Sequence, residues 1–403
     1  MPNQIISHSP DLKRLRDEGF DIRIEHGHLF VYGIPYVNEN REILFGTLIT
    51  VLNNTQKVIE GLTLEVVGKP STHVAHFTGE LPCYSDGSPI EQLRRGSRTK
   101  IADGVEVNWA FSIKPDGKVP VDYYQLVTNY VQMMEAHARE IDSSVKARNF
   151  NVVDTENDES VFNYFDTNSS RAEIIPITNK LKGQKIGIIG LGGTGSYILD
   201  LVAKTEVEEI HLFDGDEFLQ HNAFRAPGAP SKEELSLKQK KTTYYQAIYS
   251  KMRKGIIDHP TFFTNDSLDL LNELDFVFMC FDKGSIKKNI VERLESLDKP
   301  FIDVGISIES IDSECLIGTL KVVSSKSGCR NFLRENNRVS FVDANNDDLY
   351  DENIQIAELN SLNACLAVIK WKKFFGFYQD KNNENFTHYS TNDHNFLDND
   401  HCT

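Results

Sequence analysis

Residues 185–204 read KIGIIGLGGTGSYILDLVAK. A short apolar run ends at Gly190-Leu191-Gly192-Gly193-Thr194-Gly195, and the residues after it carry apolar side chains at helical spacing. Strand, glycine turn and helix are the opening of a βαβ unit. Glycines let a backbone approach phosphate closely, and the helix start offers unpaired N–H groups and a partial positive charge. The G-x-G-x-x-G pattern alone does not choose a ligand. A dinucleotide-binding oxidoreductase has the same loop and places an acidic residue about 20 positions later to hold a ribose; Asp214 fills that place.

Working outward, apolar runs alternate with helical stretches: EIHLFDGD (209–216), a helix over 232–254, DFVFMCFD (275–282), a helix over 285–297, and PFIDVGI (300–306). This alternation implies right-handed crossovers and an α/β domain over 171–380, a doubly wound Rossmann-like parallel sheet with its ligand site at the carboxyl ends of the strands. IQIAELNSLNACLAVIKWKKFFGF (354–377) reads as a largely apolar helix. Residues 381–403 read as a polar C-terminal tail, and its His388, His394, His401 and Cys402 as part of a frayed end rather than a metal site.

Upstream, HLFVYGIPYV (28–37) and FGTLITVLNN (45–54) alternate apolar and polar residues, and 121–148 carries apolar positions at three-to-four spacing. A smaller α+β domain over 1–150 is expected, joined by the acidic linker 151–170, NVVDTENDESVFNYFDTNSS. A length of 403 residues suits two such domains. No apolar run reaches about 18 residues, and MPNQIISHSPDLKR lacks a signal-peptide pattern. A cytoplasmic protein with no membrane partner is expected. The net charge of −16 argues against a nucleic-acid partner. Six cysteines without a C-x-x-C pair read as reduced thiols.

The residues after the second strand add cations. Asp214-Gly215-Asp216 leads to Asn222 and Arg225 in DGDEFLQHNAFRAPG (214–228), then to Lys238, Lys240 and Lys241. A hydride-transfer site has no use for these, whereas charge growing on a leaving pyrophosphate does. A further strand ends in Cys280-Phe281-Asp282, aiming a carboxylate into the same crevice, where Mg²⁺ bridging phosphate oxygens needs one.

Taken in order, GLGGTGS, DGD followed by N-x-x-R, a downstream lysine and the strand-terminal CFD resemble the nucleotide site of the ThiF/MoeB/E1 adenylyltransferase superfamily over roughly residues 171–377. The resemblance implies ATP and Mg²⁺ as cofactors. It also implies that Gly190, Gly192 and Gly195, with Gly193 in the same loop, cradle the phosphates. Asp214 would hold the ribose with Asp216 beside it, Asn222 and Arg225 would contact phosphates, and Asp282 would position the metal. Family spacing favours Lys238 as the phosphate lysine and the helix pattern KTTYYQAIYSKM favours Lys241; we take Lys241. Arg171 stands where family members carry an arginine that crosses a dimer to the active site, an exposed linker arginine being the alternative.

The implied reaction is adenylation of the C-terminal carboxylate of a ubiquitin-like protein by a homodimer, followed by transfer to a cysteine and then to an E2-like acceptor. Cys329, in SSKSGCRNFLRENN (324–337) between Lys326 and Arg330, is the candidate thiol, although no Pro-Cys signature or zinc ligands flank it. Cys280, Cys315 and Cys365 read as small core hydrophobes. HVAHFTGELPC (73–83), WAFSIKP and DYY resemble the N-terminal module ahead of ThiF-like domains in some bacterial proteins, of a kind found in ubiquitin-like conjugation systems. That module is read as a docking domain or as a degenerate E2-like one, in which Cys83 would receive the acyl group; by itself Cys83 reads as a satisfied loop thiol. Two other classes stay open. One is an adenylyltransferase acting on a sulfur carrier, or on a small-molecule or tRNA carboxylate, with no thioester; the other is an NAD-binding oxidoreductase.

Overall fold

The computed structural model describes residues 2–59, 62–94, 99–102, 105–114, 117–155, 160–342, 354–392 and 396–401. The chain divides into two units, Met1–Ser160 with Tyr164–Arg171, and Val161–Asn163 with Ala172–Thr403.

In the first unit, the alternating runs become an antiparallel five-stranded sheet of Asp21–Glu25, His28–Val37, Ile43–Val51, Val74–Thr78 and Trp109–Ser112, in that spatial order. Its inner face supplies Leu29, Val31, Leu48, Phe77 and Phe111, all buried. The helix Tyr123–Ile141 covers that face with Tyr123, Leu126, Val127, Tyr130, Met134 and Ala138, the three-to-four spacing read in the sequence. Asp122 starts it by accepting the Gln125 N–H at 2.7 Å. The two buried tyrosines keep their hydroxyls paired, Tyr123 donating to the Val51 carbonyl at 2.9 Å and Tyr130 to the His73 carbonyl at 2.8 Å.

The second unit is built on an eight-stranded sheet, whose strands we number within this unit. These are β1 Lys185–Ile189, β2 Glu209–Phe213, β3 Ile256–His259, β4 Phe276–Met279, β5 Phe301–Ile311, β6 Cys315–Ser325, β7 Glu384–Ser390 and β8 Phe396–His401. The spatial order is β3-β2-β1-β4-β5-β6-β7-β8. The first five in that order are parallel, and β6 to β8 extend the sheet antiparallel. Helices α1 (Gly193–Val202), α2 (Lys241–Tyr249), α3 (Gly284–Ser296) and α4 (Ala357–Phe374) pack on it.

Strand side chains alternate between the faces. Ile186, Ile188, Phe276 and Phe278 meet α1, α2 and α4 through Leu199, Tyr245 and Trp371. Ile189, Val277 and Met279 meet α3 through Ile290, Val291 and Leu294 on the other side. Both faces are covered, which is why the strands read as unbroken apolar runs. Behind α1, the fully buried Arg253 guanidinium donates to the carbonyls of Thr205 at 3.1 Å, Glu208 at 3.2 Å and Lys254 at 2.9 Å, and also to that of Val207.

Two expectations from the sequence change. The polar tail over 381–403 is not frayed where it is described: β7 pairs with β6, and α4 reaches it through Lys370 Nζ on the Glu384 carbonyl at 2.8 Å and Lys373 Nζ on Glu384 Oε1 at 2.5 Å. Phe386 and Tyr389 are buried in this strand, which the surrounding polar residues hid in the sequence. His394 and Cys402 lie outside the described residues. The linker 151–170 is also built in. Val161–Asn163 belongs to the second unit, where the Val161 carbonyl accepts the Lys254 N–H at 2.7 Å. Tyr164–Arg171 belongs to the first, where Arg16 Nη2 donates to Ser170 Oγ at 3.1 Å. Ser169 and Ser170 are buried; the Ser170 hydroxyl meets the buried Arg16 guanidinium and donates to the Asp17 carboxylate at 2.8 Å, while the Ser169 N–H donates to Asp166 Oδ1 at 2.9 Å.

Candidate functional site

A cavity of about 730 Å³ opens at the carboxyl ends of β1, β2 and β4, the position a doubly wound sheet dictates. Its volume is within the range of small-molecule sites. Gly190 and Gly192 form part of its wall. Gly190 has a φ of 90°, and a Cβ there would lie 2.5 Å from the Cys280 carbonyl oxygen. Gly192 has open space where its side chain would stand. The other two glycines serve packing. A Cβ on Gly195 would lie 1.9 Å from the Gly190 carbonyl oxygen, and one on Gly193 would lie 2.1 Å from the Asn360 amide nitrogen. Of the loop glycines, therefore, only Gly190 and Gly192 line the cavity, while Gly193 and Gly195 let α1 and α4 close around it.

Charge collects on one side. Asp214 is buried at the end of β2; its Oδ2 accepts the Leu191 N–H at 2.7 Å and its Oδ1 the Asp216 N–H at 2.9 Å. A carboxylate has about four acceptor positions, so a ribose hydroxyl can still donate to it. Lys241, buried at the start of α2, places its ammonium 2.7 Å from Asp216 Oδ2 and 3.6 Å from Asp214 Oδ2. Lys238 is exposed and does not line the cavity, while Lys240 donates to the Gly215 carbonyl at 2.7 Å.

Arg225 lines the cavity, and its buried Nε has no hydrogen-bond partner among the described residues. Burial lowers its pKa from the usual guanidinium value. Asp282 stands exposed on the opposite rim, next to Lys283. Asn222 is buried away from the wall. It accepts the Leu219 N–H at 2.9 Å, and its carbonyl receives the Arg225 N–H at 3.1 Å, so it shapes the turn that presents Arg225.

Three residues singled out in the sequence are elsewhere. Cys329 comes after β6, whose last residue Ser325 pairs with Phe301, the first residue of β5. That is the amino end of the parallel strands, opposite the cavity. Arg330 beside it donates to the Glu295 carbonyl at 2.6 Å, in the last turn of α3. The cavity lies near the first turn of α3, whose 13 residues span about 20 Å. Cys329 is also disulfide-bonded, whereas Cys83, Cys280, Cys315 and Cys365 are free. A polar, cation-flanked loop looks alike at either end of a sheet, and the sequence carried no sign of which end this one occupies. Arg171 ends the short helix Thr167–Arg171 in the first unit and borders a separate cavity of about 250 Å³ with Arg16, Phe150 and Phe165.

Cys83 is buried beside the end of the strand His28–Val37, where its N–H donates to the Val37 carbonyl at 2.8 Å, with its Sγ 3.3 Å from the Leu81 carbonyl. Burial pushes its thiol pKa up, and nearby Glu39, Asp86 and Glu80 push it further. This is the reverse of what an acyl-accepting thiolate needs. Cys315, expected in a core strand, is exposed at the start of β6. Iodoacetamide should therefore label Cys315 first among the described free cysteines and Cys83 only on unfolding, as read by peptide mapping. Equal labelling rates would return Cys83 to the candidate acceptors.

Sequence reading missed the cavity's apolar wall, Phe262, Phe263, Phe281 and Ile286, and the polar pair Gln355 and Asn360. The ammonium of Lys283 lies 5.0 Å from the Phe262 ring centroid. A signal was there for the first two phenylalanines, since they come just after the carboxyl end of β3, as the other site residues do after their own strands. Among the described residues no three His, Cys, Asp or Glu side chains gather into a metal site, and no helix is long and apolar enough to cross a membrane.

The ThiF family model matches residues 167–399, and a domain of unknown function (DUF6791) matches residues 10–167. No curated protein matches the chain. Similar solved structures include Escherichia coli MccB, at 18% identity and a TM-score of 0.43 over 56% of this chain and 64% of that one. They also include E. coli MccB with ATP, at 17% identity and 0.42 over 58% and 69%. Selenomethionine PaaA is similar at 16% identity and 0.42 over 56% and 75%. The chain thus spans less than two thirds of the first of these.

Proposed function

The chain belongs to the ThiF family, and on that premise we propose that it adenylates the C-terminal carboxylate of a ubiquitin-like protein or peptide with ATP. The observation that carries this reading is the pair of cations, Lys241 and Arg225, set against an open glycine loop. The Arg225 Nε is buried without a partner among the described residues, which suits a phosphate oxygen.

In the reaction the substrate carboxylate oxygen bonds to the α-phosphorus, the bond from that phosphorus to the bridging oxygen breaks, and pyrophosphate leaves with the electron pair. Asp214 would hold the ribose; Gly190 and Gly192 bring backbone close to the phosphates. Arg225 and Lys241 would counter charge on the departing pyrophosphate. The exposed Asp282 carboxylate is a hard oxygen donor and fits one or two protein contacts to Mg²⁺, with phosphate oxygens and water completing its shell. Bound there, the ion would screen phosphate charge. No protein nucleophile is needed at this step, which depends on position and electrostatics.

Once the adenylate has formed, the placement of Cys329 and Cys83 supports the second reading, an adenylate passed directly to an outside nucleophile without an enzyme thioester. An oxidoreductase leaves Arg225 and Lys241 without work. A homodimer in which Arg171 of a second copy completes the site belongs to the same proposal. The test is magnesium-dependent ATP–pyrophosphate exchange on the full chain, with ubiquitin-like proteins ending in a free glycine, sulfur carriers and small acids as separate substrates. Exchange with the first group supports the proposal, and exchange only with small acids moves the substrate class. Tight NAD(H) binding with no exchange would sink it.

A further inference from the structure

The Gly193 N–H, at the first helical position of α1, has no acceptor within its own helix. Gly193 does not itself line the cavity, but its N–H follows directly on Gly192, which does, so a phosphate oxygen at the loop would meet it. In the structure that N–H is already engaged, because Gln355 Oε1 accepts it at 3.3 Å, and Gln355 and Gly192 both line the cavity.

Gln355 is held there by the helix next to it in the chain. Helix α4 begins two residues later, and on its first turn the fully buried Asn360 fastens to the same loop. Asn360 Oδ1 accepts the Thr194 hydroxyl at 3.0 Å, and its Nδ2 lies 3.5 Å from the Arg225 carbonyl. Its amide fills the space that a Cβ on Gly193 would need. Asn360 thus has both ends engaged and no route to water. Gln355 is only half-buried, so its side chain can leave the loop and hydrogen-bond to solvent.

We propose that Gln355 sets the nucleotide affinity of the glycine loop by competing with phosphate for the Gly193 N–H; this rests on the cavity being a nucleotide site. A phosphate oxygen makes a charge-assisted hydrogen bond about twice as strong as one to a neutral amide oxygen. It also gains from the positive end of α1. Phosphate therefore displaces Gln355, and binding is weakened by the one neutral hydrogen bond given up. The adjoining Asn360 keeps α1 and α4 in register throughout, so the exchange is confined to one side chain.

The test is calorimetric titration of the full chain with ATP, for wild type, Gln355→Ala and Gln355→Glu, each checked for unchanged thermal unfolding. Removing the competing acceptor should tighten the Kd about 3- to 10-fold in Gln355→Ala. Gln355→Glu, which puts a negative charge on the same N–H and repels phosphate, should weaken binding by about tenfold. An alanine variant that binds ATP as wild type does, or more weakly, overturns the role of Gln355 and leaves the nucleotide site standing. A folded wild type that binds no ATP removes the nucleotide reading, and this inference with it.

Discussion

Asp282→Ala should lower magnesium-dependent ATP–pyrophosphate exchange by about 100-fold or more, with thermal stability unchanged. The size is set by removing one preorganised electrostatic group where phosphate charge must be managed, a loss of roughly 100- to 1,000-fold in comparable sites. Stability should hold because Asp282 is exposed on the cavity rim, beyond the last buried residues of β4, and surface substitutions of that kind usually stay within about 0.5 kcal/mol. Asp282→Asn separates charge from shape. It should be as inactive as the alanine variant if the carboxylate meets a metal. Cys329→Ser, at the opposite end of the sheet, should exchange at the wild-type rate. Exchange within threefold of wild type in Asp282→Ala would remove Asp282 from the mechanism.

Arg253→Met should destabilise the chain by roughly 3–5 kcal/mol, the cost typical of breaking a fully buried charged network. For a unit of this size that is on the order of 10 °C in Tm. The guanidinium is wholly buried and donates to the carbonyls of Thr205, Val207, Glu208 and Lys254, which no apolar side chain can satisfy. Burial already draws its pKa down to about 10, a measure of how little water reaches it. Arg253→Lys should recover less than half of the loss, because a single ammonium cannot span carbonyls that a planar fork reaches together. Scanning calorimetry of the full chain reads all three. A melting point for Arg253→Met within 2 °C of wild type would show that the carbonyls find other partners.

The parallel sheet was legible because its strands are buried on both faces, and β1, β2 and β4 therefore spell themselves as apolar runs ending in Gly190, Asp214 and Asp282. Position at a strand's carboxyl end was enough to bring Asp214, Lys241, Arg225 and Asp282 to one cavity. Residues whose role depends on long-range register were not legible. Gln355 and Asn360 reach the loop only because α4 crosses α1, and no local pattern in IQIAELNS announces that. Strand β7 was masked by its polar composition, since Glu384 and Asn385 are buried through partners on α4 and β6 rather than through apolarity. The placement of Cys329 has the same origin, because its end of the sheet was not available from spacing.

The path of the chain between its two units has a genetic consequence. Val161–Asn163 is used by the second unit and Tyr164–Arg171 by the first. A recombination breakpoint after residue 160 would take from the first unit the hydroxyl of Ser170 that Arg16 meets. One after residue 171 would take from the second the bridge between Phe162 and Arg253. No single crossover leaves both intact, so in this lineage the pair should be inherited as one block, and module shuffling should succeed only where the whole interleaved stretch moves together.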